Sequence, residues 1–269
     1  MSAPIKPAKR VLTDMTVTAN RHLNARTVQL QLQTSDGNPL PEALPGQFVQ
    51  VDGGHPDGVL LRRPISINDC DATRGRMTLL IANAGRITSR LCHLQPGQTV
   101  NILTPLGHGF PLDVAPDTHV VLIGGGVGMA PILFYGRWLK ERLGIVPDFV
   151  LGARSSDQLM LLDEFGAVGR VHITTDDGSA GIRGYAADAL VLRCGDPGVP
   201  QLWATCGPAP MMKAIAALAN RQGIPCYASL ENMMACGLGA CLCCVENTVR
   251  GNVCVCTEGP VFNTDELNW

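Results

Sequence analysis

The stretch HVVLIGGGVGMAPILFYGRWLKERLG, residues 119–144, changes the texture of the chain. It begins with a short, nearly continuous apolar run, the pattern of a strand buried on both faces. Glycines follow. A helical segment then opens at Pro131 and stops at Gly144, residue types suited to a first helical turn and to a C-terminal stop. Between them Ile132, Tyr135, Leu139 and Leu143 recur at i, i+3, i+7 and i+11, the spacing of a buried helix face. Further short apolar runs follow at DFVLGA (148–153), VHITT (171–175) and QLWATC (201–206), with a helix-capable stretch at APMMKAIAALANRQG (209–223). Strands alternating with helices make a parallel sheet.

Upstream the texture is different. TVQLQL (27–32) places Val28, Leu30 and Leu32 on one face, and MTLLI (77–81) does the same with Met77, Leu79 and Ile81. Turn residues are dense, as in SDGNPLP, LPGQ and DGGHPDG, and no helical period of useful length occurs before residue 127. The fold class is therefore α+β and multidomain. An N-terminal antiparallel barrel or sandwich, assigned as a β-barrel (1–115), precedes an α/β parallel-sheet domain (116–230), and a small C-terminal cysteine-rich region (231–269) ends the chain.

The 269 residues are 46% hydrophobic and 16% charged, with a net charge of −2. That balance describes a packed globular protein and disfavours nucleic acid or an anionic membrane as the main partner. No apolar run reaches membrane-spanning length, and the N-terminus has no signal-peptide core, so a cytoplasmic protein is expected. Thiols stay reduced in the cytosol, and the cysteine count of eleven is odd, which argues against a disulfide framework. Cys70, Cys92, Cys194 and Cys226 read as small buried hydrophobes.

Six cysteines crowd into CGLGACLCCVENTVRGNVCVC, residues 236–256. Cys236, Cys241 and Cys244 are spaced C-x4-C-x2-C, and a longer gap leads to Cys256. This is the plant-type [2Fe–2S] spacing, whereas zinc sites usually come as two separated knuckles. The intervening GLGA has little side-chain bulk, so its backbone can wrap a cluster and aim N–H groups at sulfur. A zinc site and inert thiols are the alternatives. Cys254 competes with Cys256 as fourth ligand, and Cys256 is preferred because the turn-forming TEGP follows it.

Three further signals are modest singly. The loop containing Gly124, Gly125, Gly126 and Gly128 allows close backbone approach before a helix N-terminus that favours phosphate, although its glycines are out of register with G-x-G-x-x-G. LLRRPISI (60–67) offers a guanidinium fork at Arg63 and a hydroxyl at Ser66, or else a solvated strand edge. NAGRITSRL (83–91) carries Gly85 and Thr88, which could donate to a phosphate or simply form a polar turn.

In order along the chain, R-P-x-S, G-x-x-T, GGGVGMAP and CGPAPMM resemble the ferredoxin–NADP reductase superfamily. With ENMMACGLGACLCCV and CVCTEGPVF added, the chain resembles the electron-transfer subunits of class 1B dihydroorotate dehydrogenase from about GQFVQV to GPVF. The resemblance implies FAD on Arg63, Pro64, Ser66, Gly85 and Thr88, with Ile87 standing where the family's second glycine belongs. It implies NAD on the loop from Gly124 to Gly128 and on Gly207 and Pro208, with Cys206 as the catalytic residue near the nicotinamide–flavin contact. It implies a [2Fe–2S] cluster on Cys236, Cys241, Cys244 and Cys256, and no chemistry for TTDDGSAGIRG (174–184) beyond a loop over the cofactor. The implied partner is an FMN-containing catalytic subunit in a heterotetramer, docked largely on the tail. The other enzyme reading is the flavin subunit of a hydrogenase or sulfur reductase complex. A cluster-based redox sensor and a zinc-stapled structural protein are further rivals. The choice between NAD and NADP is left open.

Overall fold

In a computed structural model, residues 8–54, 58–193 and 199–269 are described. Strands β1 (Val11–His22), β2 (Thr27–Thr34), β3 (Phe48–Val51), β4 (Arg63–Asp71), β5 (Arg76–Ala82) and β6 (Thr99–Leu106) close an antiparallel barrel in the order β1-β2-β5-β4-β3-β6. The alternation read from sequence does the work. Val28, Leu30 and Leu32 of β2 and Met77, Leu79 and Ile81 of β5 all fill one core. One expectation fails here, because a seven-residue helix, α1 (Arg86–Cys92), forms well before residue 127. It is two turns long and shows only Ile87, Leu91 and Cys92 to the core, too short a run for a helical period to stand out.

The second unit is a seven-stranded sheet. Its strands are β7 (His119–Gly125), β8 (Asp148–Ala153), β9 (Arg170–Thr175), β10 (Ile182–Arg183), β11 (Gln201–Cys206), β12 (Cys226–Ser229) and, from the tail, β15 (Val261–Asn263). The order is β10-β9-β8-β7-β11-β12-β15, parallel except that β15 runs antiparallel to β12. Helices α2 (Met129–Trp138), α3 (Leu162–Val168), α4 (Ala186–Arg193) and α5 (Ala209–Gln222) connect the strands. Ile132, Tyr135 and Leu139 are fully buried, and Gly144 ends the segment in the left-handed region (φ 70°), as the sequence predicts.

Helix α2 joins the two units. Its Phe134 enters the barrel core, and Asn68 of β4 donates to the Ala130 carbonyl at 3.3 Å. Arg137 reaches Asp69 at 3.0 Å and Glu164 at 2.7 Å, and Arg21 meets the same Glu164 at 2.6 Å. The tail adds a hairpin, β13 (Val245–Thr248) and β14 (Gly251–Cys254), and a single turn, α6 (Val255–Glu258). It is tied to both units. β15 extends the sheet, and the His108 amide of the barrel side donates to the Gly259 carbonyl at 2.5 Å. Cys92 and Cys226 are buried as expected, Cys70 is half-buried, and Cys194 lies outside the described residues.

Candidate functional site

The strand order places β7 beside β11, and from this pair the chain steps outward in opposite directions. Such a reversal opens a crevice at the carboxyl ends of the strands, where open α/β sheets bind ligands. The glycine loop follows β7 there and CGP follows β11, with Gly124 directly opposite Cys206. The two turns pack backbone to backbone. A side chain on Gly128 would run into the Cys206 carbonyl, and one on Gly125 would stand 2.9 Å from the Met211 sulfur. Beside them lies a cavity of about 510 Å³ lined by Gly125, Gly126, Arg154, Asp176, Pro208 and Met211. All of these except Met211, which lies in the first turn of α5, sit at or just beyond the carboxyl end of a strand.

A second cleft, of about 290 Å³, lies where barrel, glycine loop and tail meet. Pro64 and Ser66 of β4 line it, with Ala84 from the turn before α1, Val127 from the glycine loop, and Glu231 and Met234 from the tail. Two of the three predicted R-P-x-S residues are thus together, whereas Arg63, at the start of β4, is not among the residues that line the cleft. Its guanidinium donates to the Leu61 and Arg62 carbonyls, while Arg62 is held by Asn101 and Asp52. Gly85 and Thr88 form the start of α1 and not a strand-end turn. The Thr88 hydroxyl takes the Ala84 and Gly85 amides at 3.0 Å each, which fixes the turn at the cleft's edge.

Cys206 lines neither cavity. Burial, and then the nearby Glu231 carboxylate, push its thiol well above the ordinary range. Glu231 itself is raised by desolvation. Sequence reading missed Phe48, Val127, Glu231 and Met234. No local pattern marks them, because they meet only when three distant segments fold together.

In the tail, Cys236 interacts with Cys241, and Cys244 interacts with both Cys256 and Cys254. The Leu238 amide donates to Cys236 Sγ at 3.3 Å, Gly239 to Cys256 Sγ at 3.2 Å, and Cys256 to Cys244 Sγ at 3.4 Å. Burial works against ionisation at Cys236, but the Leu238, Cys241 and Ala240 amides outweigh it and bring the thiol to about 6. Burial and the Cys244 thiol push Cys256 up to about 12. Among the described residues, no three His, Cys, Asp or Glu side chains surround one point fit for a metal ion. A two-iron cluster asks instead for two thiols on each iron, and this donor set, with amides already aimed at sulfur, fits it. Cys243 is exposed and Cys254 half-buried, whereas Cys256 is buried in a small core with Phe48, Cys244 and Val255.

The sequence comparisons agree with this geometry. Residues 231–268 match the family described as the iron–sulfur cluster binding domain of dihydroorotate dehydrogenase B. The electron transfer subunit of dihydroorotate dehydrogenase B (NAD(+)) from Geobacillus kaustophilus is 39% identical over 259 residues, covering 94% of this chain and 97% of that one. The corresponding subunit from Bacillus caldolyticus is also 39% identical, with the same coverage. Among solved structures, the NADH-dependent reduced ferredoxin–NADP oxidoreductase, solved in a study of flavin-based electron bifurcation, superposes with a TM-score of 0.82. It is 28% identical, with 95% of this chain and 90% of that chain covered. A relative 39% identical over 94% of this chain shows the family, and the chain belongs to the dihydroorotate dehydrogenase B (NAD(+)) electron transfer subunits.

Proposed function

We propose that this chain is the electron relay of a two-component dihydroorotate dehydrogenase in cytoplasmic pyrimidine biosynthesis. An FMN-containing catalytic partner oxidises dihydroorotate, and this chain passes the electrons to NAD⁺, the two subunits forming a heterotetramer. The work is divided among residues 1–115, 116–230 and 231–269, which serve FAD, NAD and the [2Fe–2S] cluster. Arg63, Pro64, Ser66, Gly85 and Thr88 hold FAD. Gly124, Gly125, Gly126, Gly128, Gly207 and Pro208 hold the dinucleotide, with Cys206 packed behind the contact between nicotinamide and flavin. Cys236, Cys241, Cys244 and Cys256 hold the cluster. When bound, the cluster carries single electrons and the flavin converts pairs of them to a hydride, which is why both are present.

One observation carries this reading. Phe48 lines the β4 cleft and also belongs to the hydrophobic core that contains Cys244 and Cys256, which supports placing the flavin beside the cluster. The chain's own residues shape that arrangement. β15 locks the tail to the sheet, Val127 and Glu231 close the cleft from opposite sides, and Thr88 fixes the turn at its rim. The surface around the thiols supports a docking partner. Met233, Leu238, Leu242 and Val245 are 83%, 45%, 64% and 38% exposed within a short span of tail.

The test is an anaerobic visible spectrum with iron, sulfide and flavin assays, before and after adding NADH or dihydroorotate, with and without the FMN partner. About two irons per chain, and bleaching by NADH alone, are expected. Dihydroorotate is expected to bleach the chain only when the partner is present. A colourless, zinc-containing protein would refute the relay. Bleaching by dihydroorotate without the partner would place the substrate site on this chain and overturn the division of labour.

A further inference from the structure

Gln50 lies in the middle of β3. Its neighbours Val49 and Val51 point into the barrel and are fully buried, so Gln50 points outward, as Phe48 does. Across the ladder with β4, Phe48 stands opposite Ser66 and Gln50 opposite Pro64, the two residues that line the cleft. An outward side chain on a barrel ordinarily meets water. Gln50 is 0% exposed, because the tail lies over it. A Cβ on Gly237, between Cys236 and Leu238, would stand 2.8 Å from Gln50 Cγ and 2.9 Å from Nε2.

Neither Nε2 nor Oε1 of this buried carboxamide has a hydrogen-bond partner within the chain. Leaving an amide in that condition is costly, and an apolar side chain of the same size would fill the space without the penalty. The orphaned amide therefore implies a partner that the polypeptide does not itself supply. The group against which Gln50 is pressed is the loop whose amides already point at thiols. Thiolates and inorganic sulfides are acceptors, and Nε2 is a two-proton donor.

We propose that the Gln50 carboxamide donates a hydrogen bond to a sulfur of the [2Fe–2S] cluster, so that a strand of the flavin barrel sets the cluster's potential. This rests on the cluster reading above. A reduced cluster carries one more negative charge than an oxidised one. A donor aimed at its sulfur therefore stabilises the reduced form more and raises the potential. Gln50 is a positioning and tuning residue, placed on the same strand face as the wall of the flavin cleft.

The test uses the purified complex with its partner. Gln50→Met keeps the volume and removes the donor. The readout is an EPR-monitored redox titration of the cluster, with the flavin potential followed in parallel. The reduction equilibrium of the cluster is expected to fall about tenfold, 59 mV for a one-electron couple, with FAD content and flavin potential unchanged. Loss of the cluster alone, with FAD retained, also supports the donor role, since methionine fills the same space. An unchanged cluster potential, or a shift confined to the flavin, overturns it. If Gln50→Met does not fold, the wild type decides. Glutamine side chains labelled with ¹⁵N should couple to the reduced cluster in pulsed EPR, and absence of that coupling refutes the proposal. Wild-type protein lacking iron would instead refute the cluster reading itself, so the two failures are distinct.

Discussion

Two glycine-rich loops serve the two halves of this molecule, and their glycines are there for different reasons. In the dinucleotide loop, Gly125 and Gly128 are needed because the backbone of the CGP turn and Met211 leave no room for a Cβ. Only Gly126 stands in the left-handed region (φ 57°), and the space around it is open. In the cluster loop, Gly237 and Gly239 both have positive φ, 69° and 84°, and that conformation turns the Leu238 and Gly239 amides toward sulfur. The first loop is shaped chiefly by what it packs against. In the second both constraints act at once, since a Cβ on Gly237 would stand 2.8 Å from Gln50 Cγ and one on Gly239 2.8 Å from Thr257 Cγ2. Glycine therefore marks a tight approach in one place, and a tight approach joined to a required backbone hand in the other.

The sharpest way to break the comparison is at the thiols. Cys256→Ser is expected to abolish the cluster, measured as loss of iron and of the visible shoulder, while Cys254→Ser retains it. The opposite pattern would move the fourth ligand to Cys254 at the end of β14. Next in size is the packed loop. Gly128→Ala should destabilise by about 3 kcal/mol or more, because the backbones of two strands must separate. Gly126→Ala should cost only about 1–2 kcal/mol, the price of a left-handed alanine. Equal losses in chemical denaturation would mean that the two glycines serve one purpose.

An effect of similar size lies away from both loops, at the opposite ends of the strands. Asp148 accepts from Arg170 at 2.7 and 2.9 Å and stands 2.5 Å from His119 Nε2. Burial opposes its charge, but the Arg170 and His119 hydrogen bonds prevail and hold the carboxyl below its ordinary 3.8. A depressed carboxylate adds stability above the unfolded value and loses it as pH falls through the folded one. Asp148→Asn should therefore lower stability near neutrality by about 1–3 kcal/mol, and the gap from wild type should close below about pH 4. A gap that persists into acid would assign the loss to packing.

The barrel, the order of strands and helices in the sheet, and the cysteine spacing were all readable along the chain. Each depends on neighbours a few residues apart. Val28, Leu30 and Leu32 must alternate if one face is buried, and Pro131 and Gly144 bracket a helix by their own backbone preferences. Helix α1 escaped because two turns leave too few core positions for a period to show.

What the sequence alone determined was the kind of chemistry: thiols at cluster spacing, glycines before a helix, and an arginine and a serine on one strand. The tertiary structure decided which groups share a site. Phe48, Val127 and Glu231 are separated by most of the chain and become walls of one cleft only when barrel, loop and tail dock. Gln50 is the clearest case. In sequence it is an ordinary polar residue on the outer face of a strand. In the fold the Gly237 loop covers it, removes its water and leaves its amide without a partner in the chain. Burial belongs to surfaces brought together from a distance, and no local pattern can record it.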